Sequence, residues 1–309
     1  MIHLKVSGHT AWEVLDQHGA TVAAGERHNL ITNAGLDALA AENGRDLSAT
    51  QKAWFAWRQF LRVGTGSSTP TATKTALAAE IAAAATSSNG GFDSEQSYTA
   101  ALVGNALVGT SVMVRVASFT AAANITEYGL SSTSAGALSV TELFRDAQGN
   151  PVAVPVQNGY QLKLTHTFTL SVPFAASAAT VNVGTGDLSA LTTFFAANAG
   201  QYTTALTAFA PGDTVDVYIL TAADNGSPTT AAASAGLATT RTLQPYTAGS
   251  YSRVKRVEIA PSAGNFDHYG WLFGASTNGF KVALQGGAKV TKGNTQKLTL
   301  DLAVSWARA

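Results

Sequence analysis

Six histidines, His3, His9, His18, His28, His166 and His268, could move protons or bind a metal near neutral pH, and no two stand at a helical metal-binding spacing such as HExxH. His166 interrupts an apolar run on one face of a strand, where a histidine satisfied by a neighbouring carbonyl is expected. Glycoside hydrolysis needs two carboxylates about 5 to 10 Å apart in a cleft. Glu127 and Glu142 are the pair to consider for it. Asp213, Asp216 and Asp224, with Asn225, offer oxygens to calcium, yet their spacing fits no defined loop such as the EF-hand. VGTG occurs at residues 63–66 and 183–186 without the GxxxxGK[ST] signature of a phosphate loop. A tight turn leaving a strand accounts better for both. The absence of cysteine removes disulfides, thiolate metal sites and cysteine nucleophiles together. No catalytic residue, cofactor or metal is assigned.

These residues need a frame, and the frame repeats. "NITEYGL" at Asn124–Leu130 returns as "NFDHYGW" at Asn265–Trp271, 141 residues later, with Arg115 and Val116 falling on Arg256 and Val257. "GYQLKLTHTFTLSV" from Gly159 matches "GNTQKLTLDLAVSW" from Gly293 at an offset of 134 residues. With VGTG, these colinear blocks point to an internal duplication whose period is too long for a solenoid. The expected organisation is an N-terminal hairpin with two helices (1–62), a first β-rich copy (63–174) and a second copy with an enlarged middle (175–309). Asp267 falls on Thr126, whereas a duplicated active site would repeat its carboxylates. The motif therefore reads as a fold marker. Tyr128 and Tyr269 bury their rings, while Gly129 and Gly270 let the backbone turn or approach a neighbour closely. Trp271 and, on the last strand, Trp306 complete the expected fold and assembly anchors.

The bulk properties narrow the classes further. The 309 residues suffice for two or three modest domains with real cores. Net charge is zero, which argues against a nucleic-acid binder needing a basic stripe to displace counterions. Charged residues make up only 12%, so either other subunits cover much of the surface or Thr, Ser and Gly keep it soluble. No apolar run reaches the roughly 18 to 20 residues of a membrane span. The opening "MIHLKVSGH" lacks the plan of a secretory signal, and a soluble product made in the cytosol is expected.

Local patterns predict mainly β structure with a few short helices, arranged as two related antiparallel sandwich-like domains. Residues 2 to 33 read as a hairpin turning at Gln17-His18-Gly19. Asn33 caps a helix that stops near Gly44, and a second helix runs from about Thr50 through Trp54, Trp57 and Leu61. Trp54, Phe55, Trp57 and Phe60 form an aromatic group expected to pin that helix to a sheet. Thr73 is expected to cap a third helix carrying Leu77 and Ile81. Leu162, Leu164, His166, Phe168, Leu170 and Val172 should share one face of a closing strand. Leu298, Leu300, Leu302, Val304 and Trp306 repeat that pattern at the C-terminus. "DTVDVYIL" at Asp213–Leu220 is read as an extra strand, and Thr221–Thr242 as an exposed loop. Asp224 and Asn225 in that loop, with Tyr246 and Tyr251 beyond it, are the candidate partner contacts.

Three sequence pieces together resemble virion proteins of tailed bacteriophages, a group that includes tail, tail-fibre, baseplate and decoration components. The first is a helix start carried by Asn29, Ile31, Thr32, Gly35 and Leu36; the second is Val63, Gly64, Thr65, Gly66, Pro70 and Leu77. The third is Ile125, Thr126, Glu127 and Gly129. The likeness covers residues 10 to 172, and the second copy departs from it at Asp267 and His268. It implies a structural subunit of the virion, made in the host cytoplasm, that contacts other virion proteins, while the duplication, by letting one chain occupy two quasi-equivalent positions, leads to an expected self-assembly as a trimer or hexamer. A tail or fibre-attachment position leads, capsid decoration is the near alternative, and a carbohydrate-binding module reading a host glycan is the alternative from another class. Neither direct nucleic-acid contact nor membrane insertion is expected.

Overall fold

The computed structural model describes residues 1–41, 54–81, 84–85, 97–183, 186–207, 209–228, 234–237 and 239–309. The described residues are mainly β, with two short α-helices among them. In its first half the strands are β1 (Ile2–Leu15), β2 (Thr21–Ile31), β3 (Phe60–Gly64), β4 (Glu80–Ile81), β5 (Ala84–Ala85), β6 (Ser97–Val103), β7 (Ala106–Ser118), β8 (Ala123–Ile125), β9 (Glu127–Ser131), β10 (Leu138–Leu143), β11 (Val154–Val156) and β12 (Gln161–Pro173), with helix α1 (Asn33–Ala38) after β2. The second half carries β13 (Ser177–Asn182), β14 (Asp187–Ala196), helix α2 (Tyr202–Thr207), β15 (Val217–Leu220), β16 (Ser234–Gly236), β17 (Thr240–Leu243), β18 (Ser252–Ile259), β19 (Asp267–His268), β20 (Gly270–Ala275), β21 (Asn278–Leu284), β22 (Val290–Thr291) and β23 (Leu298–Arg308).

The order of pairing occurs twice. In the first half β1 pairs β2, β2 pairs β10, and the sheet continues through β9 and β3 to β4. The second half runs β13, β14, β21, β20, β15, β16 by the same antiparallel ladders. Beside them, β8 pairs β11 as β19 pairs β22, while β6, β7 and β12 have counterparts in β17, β18 and β23. One ladder has no counterpart. β1 pairs β12 over Lys5–Leu15, whereas no ladder joins β13 to β23 among the described residues. Instead Ile2–Val6 of β1 run parallel to Val304–Arg308 of β23, so the first strand bridges both halves.

Two sequence alignments change accordingly. β15 takes the place of β3 in the pairing order, so "VYIL" is the counterpart of "FLRVG" and not an extra strand. Residues 63–66 leave β3, but Val183 and Gly186 belong to the turn between β13 and β14, so the two VGTG stretches are not equivalent. A better marker is "NAG": Asn33-Ala34-Gly35 and Asn198-Ala199-Gly200 each begin the helical turn after the second hairpin strand. The boundary expected near Arg62 lies inside β3, and ladders tie β1 and β2 to the first half.

Burial follows the period-2 patterns. All six predicted residues of β12 are at most 3% exposed. On β23, Leu302, Val304 and Trp306 are buried while Leu298 and Leu300 are only partly so. The helix predictions fare less well. Thr32, not Asn33, caps α1 by accepting from the Gly35 N–H, and Gly44 lies outside the described residues. Where Trp54 to Leu61 was expected to be helical there is a single 3-10 turn, Ala56–Arg58, and Phe60 already belongs to β3; residues 50–53 lie outside the described residues. The stretch 70–79 contains no helix despite its alanines, because its backbone is committed to tertiary hydrogen bonds that outweigh propensity. Within Thr221–Thr242, expected as a loop throughout, lie β16 and most of β17; residues 229–233 and 238 are outside the described set.

Candidate functional site

The fully buried Glu127 carboxylate sits at the start of β9, facing the strand end that carries VGTG. Lys74 Nζ lies 2.8 Å from Oε2, and the Ala79 and Gly66 N–H groups donate to Oε1 at 3.0 and 3.2 Å. The glycines are there for space. A Cβ on Gly66 would stand 2.4 Å from Oε1, and one on Gly64 2.8 Å from it. Thr126 adds a hydroxyl donated to the Gly66 carbonyl at 2.6 Å. The 70–79 segment also receives the Asn33 N–H on Ala72 O at 2.7 Å and the Leu138 N–H on Thr75 O at 2.9 Å. Gly35 is packed so closely that a Cβ would meet Ser139 O at 2.1 Å. The second and third pieces behind the virion resemblance therefore meet at the buried ion pair, the Glu127 lock, and the first joins them through the Asn33 bond to the 70–79 segment.

In the second half, His268 stands where Glu127 stands, and the chemistry changes with it. Its Nε2 reaches Gly264 O at 2.9 Å, while Nδ1 accepts from the Trp271 indole at 3.3 Å. Burial, the largest cause, holds this imidazole below its usual pKa, as does nearby Lys292. Asp267 faces outward to Lys289 and Thr291 at 2.6 and 2.5 Å, and the lysine holds its carboxyl below the ordinary range.

The two tyrosines also differ. Tyr128 is fully buried against Phe144, with ring centroids 5.1 Å apart, and its hydroxyl points at Thr10 without a hydrogen bond of good geometry. Tyr269 is half-buried in a small cluster with Phe195, Leu220 and Leu272. Gly270 explains the change of face: its φ is +154°, and a Cβ would lie 2.2 Å from Val282 O. Gly129 has no such φ and serves instead to admit the Leu138 side chain. Tyr128→Ala should cost about 3–5 kcal/mol in urea unfolding. For Tyr269→Ala the expected loss is about 1–2 kcal/mol, in proportion to its smaller burial. Equal losses would contradict the asymmetry.

Arg58, fully buried at the 3-10 turn, donates to His166 O at 2.8 Å and to Ser111 O and Oγ at 2.9 and 2.6 Å, and contacts His166 Nδ1. Phe55, Trp57 and Phe168 surround its guanidinium, with centroids 5.2 to 5.8 Å away. Two members of the aromatic group, Phe55 and Trp57, thus join Phe168 in a box around a buried cation. His166 is held by that arginine and not, as expected, by a carbonyl. Burial first, then Arg58 and His9, hold its pKa well below the usual value. The folded chain keeps His166 neutral, while the unfolded chain takes up its proton below about pH 6.5. Stability should therefore be flat in this group above that pH and fall below it by up to ~1.4 kcal/mol per pH unit. Unfolding at pH 5 to 7.5 should show a shallower fall for His166→Gln than for the native chain; identical slopes would contradict the assignment.

The candidate partner contacts have internal work. Tyr246 stacks on Trp306 at 5.8 Å and donates to Asp37 Oδ1 at 2.5 Å. Desolvation and Asp37 push its phenol up to about 12. Trp306 Nε1 donates to Leu36 O at 2.7 Å, and its backbone N–H to Tyr251 O at 2.9 Å. These contacts clamp α1 against the C-terminal strand. Asp224 pairs with buried Lys281 at 2.7 Å, leaving Asn225 as the exposed member of that pair. The carboxylates considered for calcium do not converge: Asp216 binds Arg241, and Asp213 offers its carbonyl to Lys255. No cluster of three metal-binding side chains occurs among the described residues. Glu142 pairs with Arg145 at 3.1 Å, so each member of the carboxylate pair has its own cation. No described helix is long and apolar enough to cross a membrane.

No family model, curated protein or solved structure matches the chain. Its chemistry is read from its own geometry. Sequence reasoning missed the Lys74–Glu127 and Arg58–His166 contacts. A lysine and a glutamate 53 residues apart carry no periodic signal. The glycines of VGTG were the available clue, since glycine marks close approach.

Proposed function

We propose that this chain is a structural subunit of a tailed-bacteriophage particle, set in the tail or in the baseplate and fibre-attachment apparatus, and that it acts by assembly. The observation that carries this reading is the Glu127 lock. The three motif pieces on which the resemblance rests belong to one interdependent arrangement, as expected if those motifs preserve a shared fold. The repeated pairing order supports a duplication, which lets one chain present two similar units, so that a trimer offers six under a threefold or sixfold axis. A receptor module receives less support, because Tyr246 and Tyr251 are used inside the chain. Imaging of the intact particle tests the proposal. Copies in a multiple of three or six at one vertex are expected. Hundreds spread over the shell would replace tail by decoration, and absence from the particle would overturn the proposal.

A further inference from the structure

The ladder missing between β13 and β23 leaves a slot. Two cavities follow one another along β23. One of about 410 Å³ lies between Ala179–Asn182 and Thr299–Leu302, and one of about 440 Å³ lies between Val183, Leu188 and Gln296–Leu298. Met1 stands at one end of the first, where β1 leaves β23. Its floor is Trp271, Phe273, Phe280 and Val282, core side chains 3 to 8% exposed, and no β13–β23 ladder closes over Leu298 and Leu300 among the described residues. This is why Leu298 and Leu300 are only partly buried. Leu164 and His166, their matches on β12 at the offset of 134 residues, are both fully buried.

We propose that this slot accepts an extended strand of a partner polypeptide with apolar side chains at alternate positions. Three observations select that occupant. First, both walls are strand edges: β23 uses its other edge for β18, and β13 uses its other edge for β14. Backbone N–H and C=O groups on such edges are a template for strand addition. Second, the matching edge in the first half is competent to pair, since β12, the counterpart of β23, carries β1 across eleven residue pairs. Third, the β23 edge already takes a strand, because Ile2–Val6 occupy it beside Val304–Arg308. The walls alternate in type, with Leu300 and Leu302 beside the apolar floor and Thr299 and Asp301 between them. An occupant should do likewise, apolar toward Trp271 and Phe280 and polar toward solvent. The inference deepens the assembly reading and rests on it, naming the means by which a neighbour attaches.

The probe is a synthetic peptide of residues 4–15 of this chain, the strand that pairs with β12, the counterpart of β23. Saturable one-to-one binding to the intact protein is expected, with hydrogen exchange slowed at least tenfold at outward-facing amides of Leu298–Ala303. Leu300→Arg, checked for unchanged circular dichroism and melting, should weaken binding at least tenfold. A scrambled peptide that binds equally well overturns the proposal, as do unprotected amides or binding indifferent to Leu300→Arg. Oleate competing for the slot while the peptide does not bind would assign it to an acyl chain and also overturn it. A second variant tests whether the slot simply closes on itself. Thr180→Cys with Asp301→Cys should stay reduced under mild oxidation, because joined Cα atoms must come within about 7 Å. Rapid, complete disulfide formation without peptide overturns the proposal. A chain that binds peptide yet stays monomeric refutes self-assembly alone, and one that assembles but ignores the peptide refutes the slot alone.

Discussion

Glu127→Ala is expected to lower the free energy of unfolding by about 3–5 kcal/mol, the usual consequence of removing one partner from a buried ion pair. The loss has several parts. Lys74, whose side chain is 9% exposed, keeps its charge without a counter-ion, and the Gly66 and Ala79 N–H groups lose their acceptor. Each hydrogen bond lost with the buried carboxylate adds to the cost. The damage should spread along the 70–79 segment to the start of α1, because Asn33 and Leu138 hydrogen-bond to that segment. Glu127→Gln keeps the shape and the oxygen acceptor but not the charge, and should fall between the two. Chemical denaturation of the three proteins, with hydrogen exchange at Gly66 and Ala79, measures this. An Ala variant within about 1 kcal/mol of the native chain would show that the lock is not a structural keystone.

Arg58→Met should cost a comparable ~3–5 kcal/mol, for a related reason. Methionine can fill the aromatic box of Phe55, Trp57 and Phe168, but it donates nothing to the carbonyls of Ser111 and His166. Each of those buried carbonyls loses a donor. A second substitution, His166→Leu, introduces the residue type that Leu300 supplies at the matching position of β23. The double variant should lose less than the sum of the single losses, because removing both partners spares the cost of stranding either one. Strict additivity would mean that Arg58 and His166 are not energetically coupled.

Much of the fold was legible where the pattern was periodic. The alternation of Leu162 to Val172 and of Leu302 to Trp306 predicted both strand and buried face, because a half-buried strand has a period of two. The helices misled because their signals were local. The alanine-rich stretch after Thr71 satisfies helix propensity, yet its backbone is drawn to Glu127, Asn33 and Leu138, partners far away in sequence. Likewise Trp54, Trp57 and Leu61 have helical spacing, but φ is +69° at Trp54 and the chain enters β3 at Phe60. The recurring motif is plain in "NITEYGL" and "NFDHYGW", whereas the shared pairing order of the two hairpins is not. β1 and β13 share almost no residues, and only the pairing order relates them. Tyr246 was read as a contact for partners because an aromatic in a polar stretch looks exposed. Its stacking on Trp306 and its bond to Asp37 depend on residues 60 and 209 positions away.

Sedimentation equilibrium of the purified chain across a hundredfold range of concentration tests the proposed assembly most directly. A species of three or six times the 31.7 kDa chain mass, persisting on dilution, is the predicted result. A single species at the mass of one chain over the whole range would contradict it.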